Sequence, residues 1–185
     1  MPSISADGRY VAFSSAASNL ITENASTGRQ VYLRDTCLGA AAPSCTPSTS
    51  LISTDPEGKL SGTEAILPSV SSSGRFVAFV AVTASHAKNA PPTKSGSNTG
   101  STGTNSGLRQ VFVRDTCLGA TGCTPSTSRI SLQPGDAPVS GLKPAGPALS
   151  GNGEYVAIAD AGNLTLFGRA TPVDDRVFLA LAKQQ

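Results

Sequence analysis

Tryptophan is absent, methionine and histidine occur once each, and aromatic residues make up 5% of the chain. Charge is scarce as well: charged residues are 14%, with 14 basic against 12 acidic side chains. A near-neutral chain gives no electrostatic reason to bind nucleic acid or a membrane surface. No apolar run reaches the roughly eighteen residues of a bilayer-spanning helix. The first twenty residues lack the charged start and apolar stretch of a signal peptide. Catalytic signatures are missing too. There is no Gly-x-Ser-x-Gly elbow and no glycine loop leading into Lys-Ser/Thr. The one histidine, His86, falls in a polar tract, where a solvated side chain is expected rather than a general base.

Hydroxyl and turn residues take up the space. Ser and Thr together supply 43 of the 185 residues, alongside 19 Gly and 13 Pro. Such a composition favours many short strands and turns over long amphipathic helices. Self-similarity then organises the chain. PSISADGRYVAF (2–13) recurs as PSVSSSGRFVAF (68–79) and PALSGNGEYVAI (147–158). QVYLRDTCLGA (30–40) recurs as QVFVRDTCLGA (110–120) and, weakly, as RVFLALA (176–182). CTPSTSLIS (45–53) returns as CTPSTSRIS (123–131), without a third copy. The blocks keep their order, as in a repeat architecture.

Each block translates into strands. In the first, a short strand meets Ala-Asp-Gly, Ser-Ser-Gly or Gly-Asn-Gly, which supply the positive φ of a tight hairpin. The strand that follows, Arg9 to Phe13, carries bulk on both faces and belongs in the middle of a stack. In the second block Val31 and Leu33 share a face, predicted buried, while Tyr32 and Arg34 share a mixed one. The third block is short and polar, as an outer edge strand should be. Four strands per unit result. The tract 84–107 has almost no apolar content and is expected as a solvated excursion. Residues 55–67 and 134–146 read as links between units.

Pro-x-x-Ser-x-Asp-Gly-Arg-Tyr-Val-Ala-Phe followed by Val-Tyr-Leu-Arg-Asp resembles the TolB-like, or WD-repeat-like, β-propeller repeat of bacterial extracytoplasmic proteins. The resemblance implies an all-β fold. It gives a β-propeller segment of two full four-stranded blades and one incomplete blade across residues 1–185. Blade 1 covers about 2–54, blade 2 about 68–132, and the partial blade 3 about 147–182. Many such repeats carry an acidic Asp-x-Asn segment and a further Asp ahead of the third strand. This chain has Thr22-Glu-Asn24 and Gln30 there, and Asn105 and Gln110 in the second copy. No metal and no cofactor is expected. Propellers close with four to eight blades. The chain is therefore expected to be a fragment of a longer exported protein, or to complete a ring through self-association.

Cys37 and Cys45, like Cys117 and Cys123, flank the connection from the third to the fourth strand. Those strand ends are neighbours in an antiparallel hairpin, the geometry in which a disulfide closes without backbone movement. Zinc would call for Cys-x-x-Cys-like spacing with four converging ligands, and a redox pair for Cys-x-x-Cys; neither spacing is present. Two structural disulfides are the expectation, and they imply an extracytoplasmic parent protein.

Among the acidic residues, Asp7 has Ser73 and Asn152 as counterparts and reads as a turn former. Asp35 and Asp115 end the third strands and read as structural partners of nearby charge or backbone. Asp174 and Asp175 are ordinary loop acids, and Asn24 and Asn163 sit in glycosylation sequons that a bacterial reading leaves unmodified. The expected function is a non-catalytic binding or interaction scaffold, with an unknown protein or small ligand as partner. The alternative is the propeller portion of an exported, peptidase-like hydrolase whose catalytic domain lies outside this chain. A thiol count on unreduced, denatured protein is expected to return none; four free thiols would contradict the stapled hairpins.

Overall fold

Local turn chemistry comes first in building the fold. Ser5 accepts a hydrogen bond from the Tyr10 N–H at its Oγ, while its own N–H donates to the Tyr10 carbonyl, both at 2.9 Å. Gly8 closes the loop at φ 75°, with its N–H on the Ser5 carbonyl. Ser71 with Phe76 and Gly74, and Ser150 with Tyr155 and Gly153, repeat the arrangement. Each turn launches a hairpin.

The computed structural model describes residues 1–22, 28–40, 44–54, 59, 64–83, 108–130, 146–160 and 176–181. Strands β1 (Ser3–Ile4), β2 (Tyr10–Ser15), β3 (Gln30–Asp35) and β4 (Ser48–Leu51) form the first sheet. Strands β5 (Glu64–Val70), β6 (Phe76–Thr83), β7 (Leu108–Asp115) and β8 (Ser126–Arg129) form the second. Strands β9 (Pro147–Leu149), β10 (Tyr155–Asp160) and β11 (Arg176–Leu181) form a three-stranded third. Every sheet is an antiparallel meander in chain order. The register repeats as well: Tyr10 faces Asp35, Phe76 faces Asp115, and Tyr155 faces Leu181. No helix of the described residues is long and apolar enough to cross a membrane.

Two differences from the sequence reading stand out. The second sheet begins at Glu64 rather than near Pro68, because β6 runs on to Thr83 and gives the residues before Pro68 a partner. A register shift between Ile66 and Ser69, with Leu67 at φ 55°, carries the chain past the proline. Tyr32, expected on a mixed face, is buried and stacks on Phe13 at 5.9 Å between centroids. The tract 84–107 lies outside the described residues, as does most of both links.

The second sheet is covered on both faces. Val77, Phe79 and Ala81 pack with Tyr10, Ala12, Val31 and Leu33 of the first sheet. Phe76, Ala78 and Val80 pack with Val156 and Ile158 of the third. Burying a Val or Phe contributes roughly 1.5–3 kcal/mol. The three fully buried Val and Phe residues of β6 therefore outweigh one short-loop disulfide, worth about 2–3 kcal/mol. Stacking of sheets dominates.

Stacking is also specific. A Cβ at Gly74 would collide with Cγ and Cδ2 of Tyr10, and one at Gly153 with Cδ2 of Phe76. The turn glycine of each following sheet thus rests on the first aromatic of the sheet before it. Polar contacts accompany the joint: the Val70 N–H donates to Ser3 Oγ at 3.1 Å, and the Leu149 N–H to Ser69 Oγ at 3.0 Å. Ala6 N–H reaches the Ser72 carbonyl, and Ser72 N–H the Gly151 carbonyl. The same joint is built twice.

Gly8 and Gly74 share a φ of 75–76°, but only Leu38 Cδ2, at 3.5 Å, approaches a Cβ built on Gly8. Urea melts of dilute protein should therefore separate Gly8→Ala from Gly74→Ala. The first should lose about 1 kcal/mol to backbone strain, and the second roughly 2 kcal/mol more from overpacking against the ring. Equal losses would contradict the ring contact.

Candidate functional site

The residues after each turn glycine build a polar corner at one end of the sheet. Because Tyr10 is in register with Asp35, the preceding Arg9 falls beside that carboxylate. Arg9 donates from Nε to Asp35 Oδ1 at 2.8 Å and from Nη2 to Oδ2 at 2.7 Å. The fork is bidentate, the strongest arrangement available to an arginine and a carboxylate. Arg75 and Asp115 reproduce it at 2.9 and 2.8 Å. Each guanidinium also lies 4.9 Å from the ring centroid of its own neighbour, Tyr10 or Phe76. Arginine thus bridges the β3–β4 corner and the aromatic of the sheet-to-sheet joint.

The carboxylate does a second job. Asp35 Oδ1 accepts the Cys37 N–H at 2.8 Å, and Asp115 Oδ1 accepts that of Cys117 at the same distance. That bond helps hold the cysteines at φ 61° and 63°, the left-handed region that a non-glycine residue seldom adopts. Thr36 secures the strand end with its N–H and Oγ–H both on the Arg9 carbonyl, and Thr116 does so on Arg75. With the chain so turned, Cys37 is joined to Cys45 and Cys117 to Cys123, with Cα atoms 5.8 and 5.6 Å apart. Arg9 Nη2 lies 3.6 Å from Cys45 Sγ, and Arg75 Nη2 3.7 Å from Cys123 Sγ.

Chemically the corner is closed. Asp35, Cys37 and Cys45 converge closely enough to hold an ion, as do Asp115, Cys117 and Cys123. The sulfurs are consumed in the disulfide, however, and both carboxylate oxygens already receive guanidinium N–H groups. The arginine holds the position a cation would take. It also lowers the Asp35 carboxyl below its ordinary range, helped by the Cys37 N–H and opposed by partial burial. Asp7 is lowered in its turn by Ser5 Oγ–H first and the Arg9 N–H second.

The opposite end of the sheets carries buried amides. Gln30 accepts the Ser53 hydroxyl at 2.6 Å, and Ser53 Oγ in turn accepts the Val31 N–H. Gln110 is buried at the matching position of the second sheet. Between the two ends, Thr54, which follows β4, and Thr127, opposite Arg114 on β8, meet across the sheets with their hydroxyl oxygens 3.4 Å apart.

The four cysteines, Asp7, Asp35 and Asp115 all lie at the first end, while Gln30 and Gln110 sit at the other. His86, Asn24, Asn105, Asn163, Asp174 and Asp175 lie outside the described residues. Sequence reasoning missed Arg9 and Arg75. The available signal was joint substitution: in the third copy the arginine becomes Glu154, its partner aspartate becomes Leu181, and the first cysteine becomes Lys183. Glu154 instead accepts the Asn152 side-chain amide at 2.9 Å.

No family model matches the sequence, and no curated protein matches it. Among solved structures, the chain is similar to the crystal structure of TolB from Acinetobacter baumannii, at 15% identity and a TM-score of 0.41. The match covers 97% of this chain and 31% of that one, so the chain spans about a third of that protein's length. Among the described residues the architecture is all-β: two four-stranded antiparallel meanders and a smaller, three-stranded third.

A lowered carboxylate stabilises the fold above its unfolded pKa and loses that contribution as pH falls through the folded value. Urea melts should therefore show stability declining below about pH 4. Asp35→Asn should be less stable at neutral pH and flatter across that acid window. An unchanged acid slope in the variant would contradict the fork.

Proposed function

We infer that this chain is a non-catalytic β-propeller binding scaffold belonging to an exported protein. The observation that supports this reading best is how the recurring polar residues are spent. Arginine, aspartate, threonine and both cysteines of each corner bond to one another and to the strand ends. A general acid or base needs a group free to exchange a proton with substrate. A carboxylate forked by arginine and held below its ordinary range is not such a group.

Export is supported by the disulfides, which persist in oxidising compartments and are rare in reducing ones. The partner is a protein or a small ligand, held by loops at the end of the sheets.

Purified chain, offered fluorogenic peptides and esters, should turn them over no faster than buffer. Turnover that follows the protein through successive purification steps would overturn the scaffold reading in favour of hydrolase chemistry.

A further inference from the structure

Each disulfide is tied to a sheet-to-sheet joint through a single aspartate oxygen. Asp35 Oδ1 accepts from Arg9 Nε at 2.8 Å and from the Cys37 N–H at the same distance. Asp115 Oδ1 is shared in the same way between Arg75 Nε and the Cys117 N–H. The arginine reaches both ways. Its Nη2 lies 3.6 Å from Cys45 Sγ in the first corner and 3.7 Å from Cys123 Sγ in the second, where Asp115 Oδ2 is also 3.9 Å from that sulfur. Its guanidinium carbon stands 4.9 Å from the ring centre of Tyr10 or Phe76, the two rings that rest on Gly74 and Gly153. Sulfur, guanidinium, ring and glycine form one row, and the row is built twice.

One end of each row is held against a backbone preference. Cys37 and Cys117 sit at φ 61° and 63° under two restraints, the bond from their own N–H to the aspartate and the cross-link behind it. Reduction removes the second. Two glutathione thiols break the S–S bond, leaving two cysteine thiols and one glutathione disulfide. A freed cysteine relaxes toward negative φ, the region an L residue prefers. Its N–H then leaves Oδ1, and the aspartate keeps only a partly exposed fork to arginine. An arginine held less firmly no longer fixes the ring beside it.

We propose that disulfide closure and the seating of ring on glycine are coupled: Cys37–Cys45 with the joint between the first and second sheets, and Cys117–Cys123 with the joint between the second and third. The joints are looser in the reduced chain and tighten on oxidation. The coupling does not depend on what the scaffold binds. Linkage makes it reciprocal, so loosening a joint makes its own disulfide easier to reduce by the same factor. The corners differ in one respect. Leu118, next to Cys117, packs against the cluster that holds Tyr10, so the second disulfide touches the first joint as well. The first disulfide and Gly153 therefore give the cleaner perturbations.

Full chain equilibrated in glutathione buffers, alkylated and read peptide by peptide, gives the equilibrium of each disulfide separately. Gly153→Ala puts a methyl where Phe76 sits. In that variant Cys117–Cys123 should become about fivefold easier to reduce, while Cys37–Cys45 stays as in wild type. The reverse measurement uses Cys37→Ser/Cys45→Ser. Hydrogen exchange should show the Val70 N–H, which crosses the first joint to Ser3 Oγ, losing protection by a similar factor. The Leu149 N–H, on Ser69 Oγ across the second joint, and the amides between β6 and β7 should keep theirs. Disulfides acting only as staples give another pattern. Both would shift together in Gly153→Ala, or neither would, and exchange in the serine variant would rise everywhere or nowhere. Either result would overturn the coupling, and if Gly153→Ala fails to fold, the serine variant decides alone.

Discussion

An aromatic ring laid on a glycine of the neighbouring sheet is the contact on which this architecture depends. Tyr10 against Gly74 and Phe76 against Gly153 bring successive meanders so close that a single added methyl would strike the ring. The glycine is needed twice over at that point. It supplies φ near 76°, which an L side chain rarely adopts, and it leaves out the carbon that would hold the ring away. Once that distance is set, the alternating faces of β6 are buried on both sides, and the cooperative gain of apolar burial follows.

The polar corner is an extension of the same contact. Arg9 and Arg75 stand next in sequence to the aromatic, lie over its ring, and fork the aspartate at the end of β3. That aspartate holds the cysteine N–H, and the disulfide closes the hairpin behind it. A line of contacts thus runs from the sheet-to-sheet joint to the staple. In the third copy the arginine, the aspartate and the first cysteine are replaced together, by Glu154, Leu181 and Lys183, as expected of parts that serve one purpose.

Much of the fold was legible because the repeat is written in turn residues and alternation, which act over a few positions. Ser-x-x-Gly turns, strand order and the hairpin position of the cysteines all follow from such short-range patterns. What escaped notice involves spatial partners distant in sequence. Arg9 and Asp35 are 26 residues apart, and Arg75 and Asp115 are 40 apart, so no local pattern couples them. Alternation describes one strand, so it does not show that Tyr32 is buried and stacked on Phe13 of the adjacent strand β2. The early start of β5 was hidden by Pro68, which suggested a boundary that a bulge in fact carries through. Function was the least legible, since the recurring residues are consumed in building the sheets and their corners.

The most direct test of the ring-on-glycine joint is a solution NMR spectrum of the oxidised chain, assigned around Gly74 and Gly153. Protons held above an aromatic face should shift strongly upfield and show cross-relaxation to ring protons of Tyr10 and Phe76, respectively. Glycine α-protons at ordinary positions, with no cross-peaks to either ring, would contradict it.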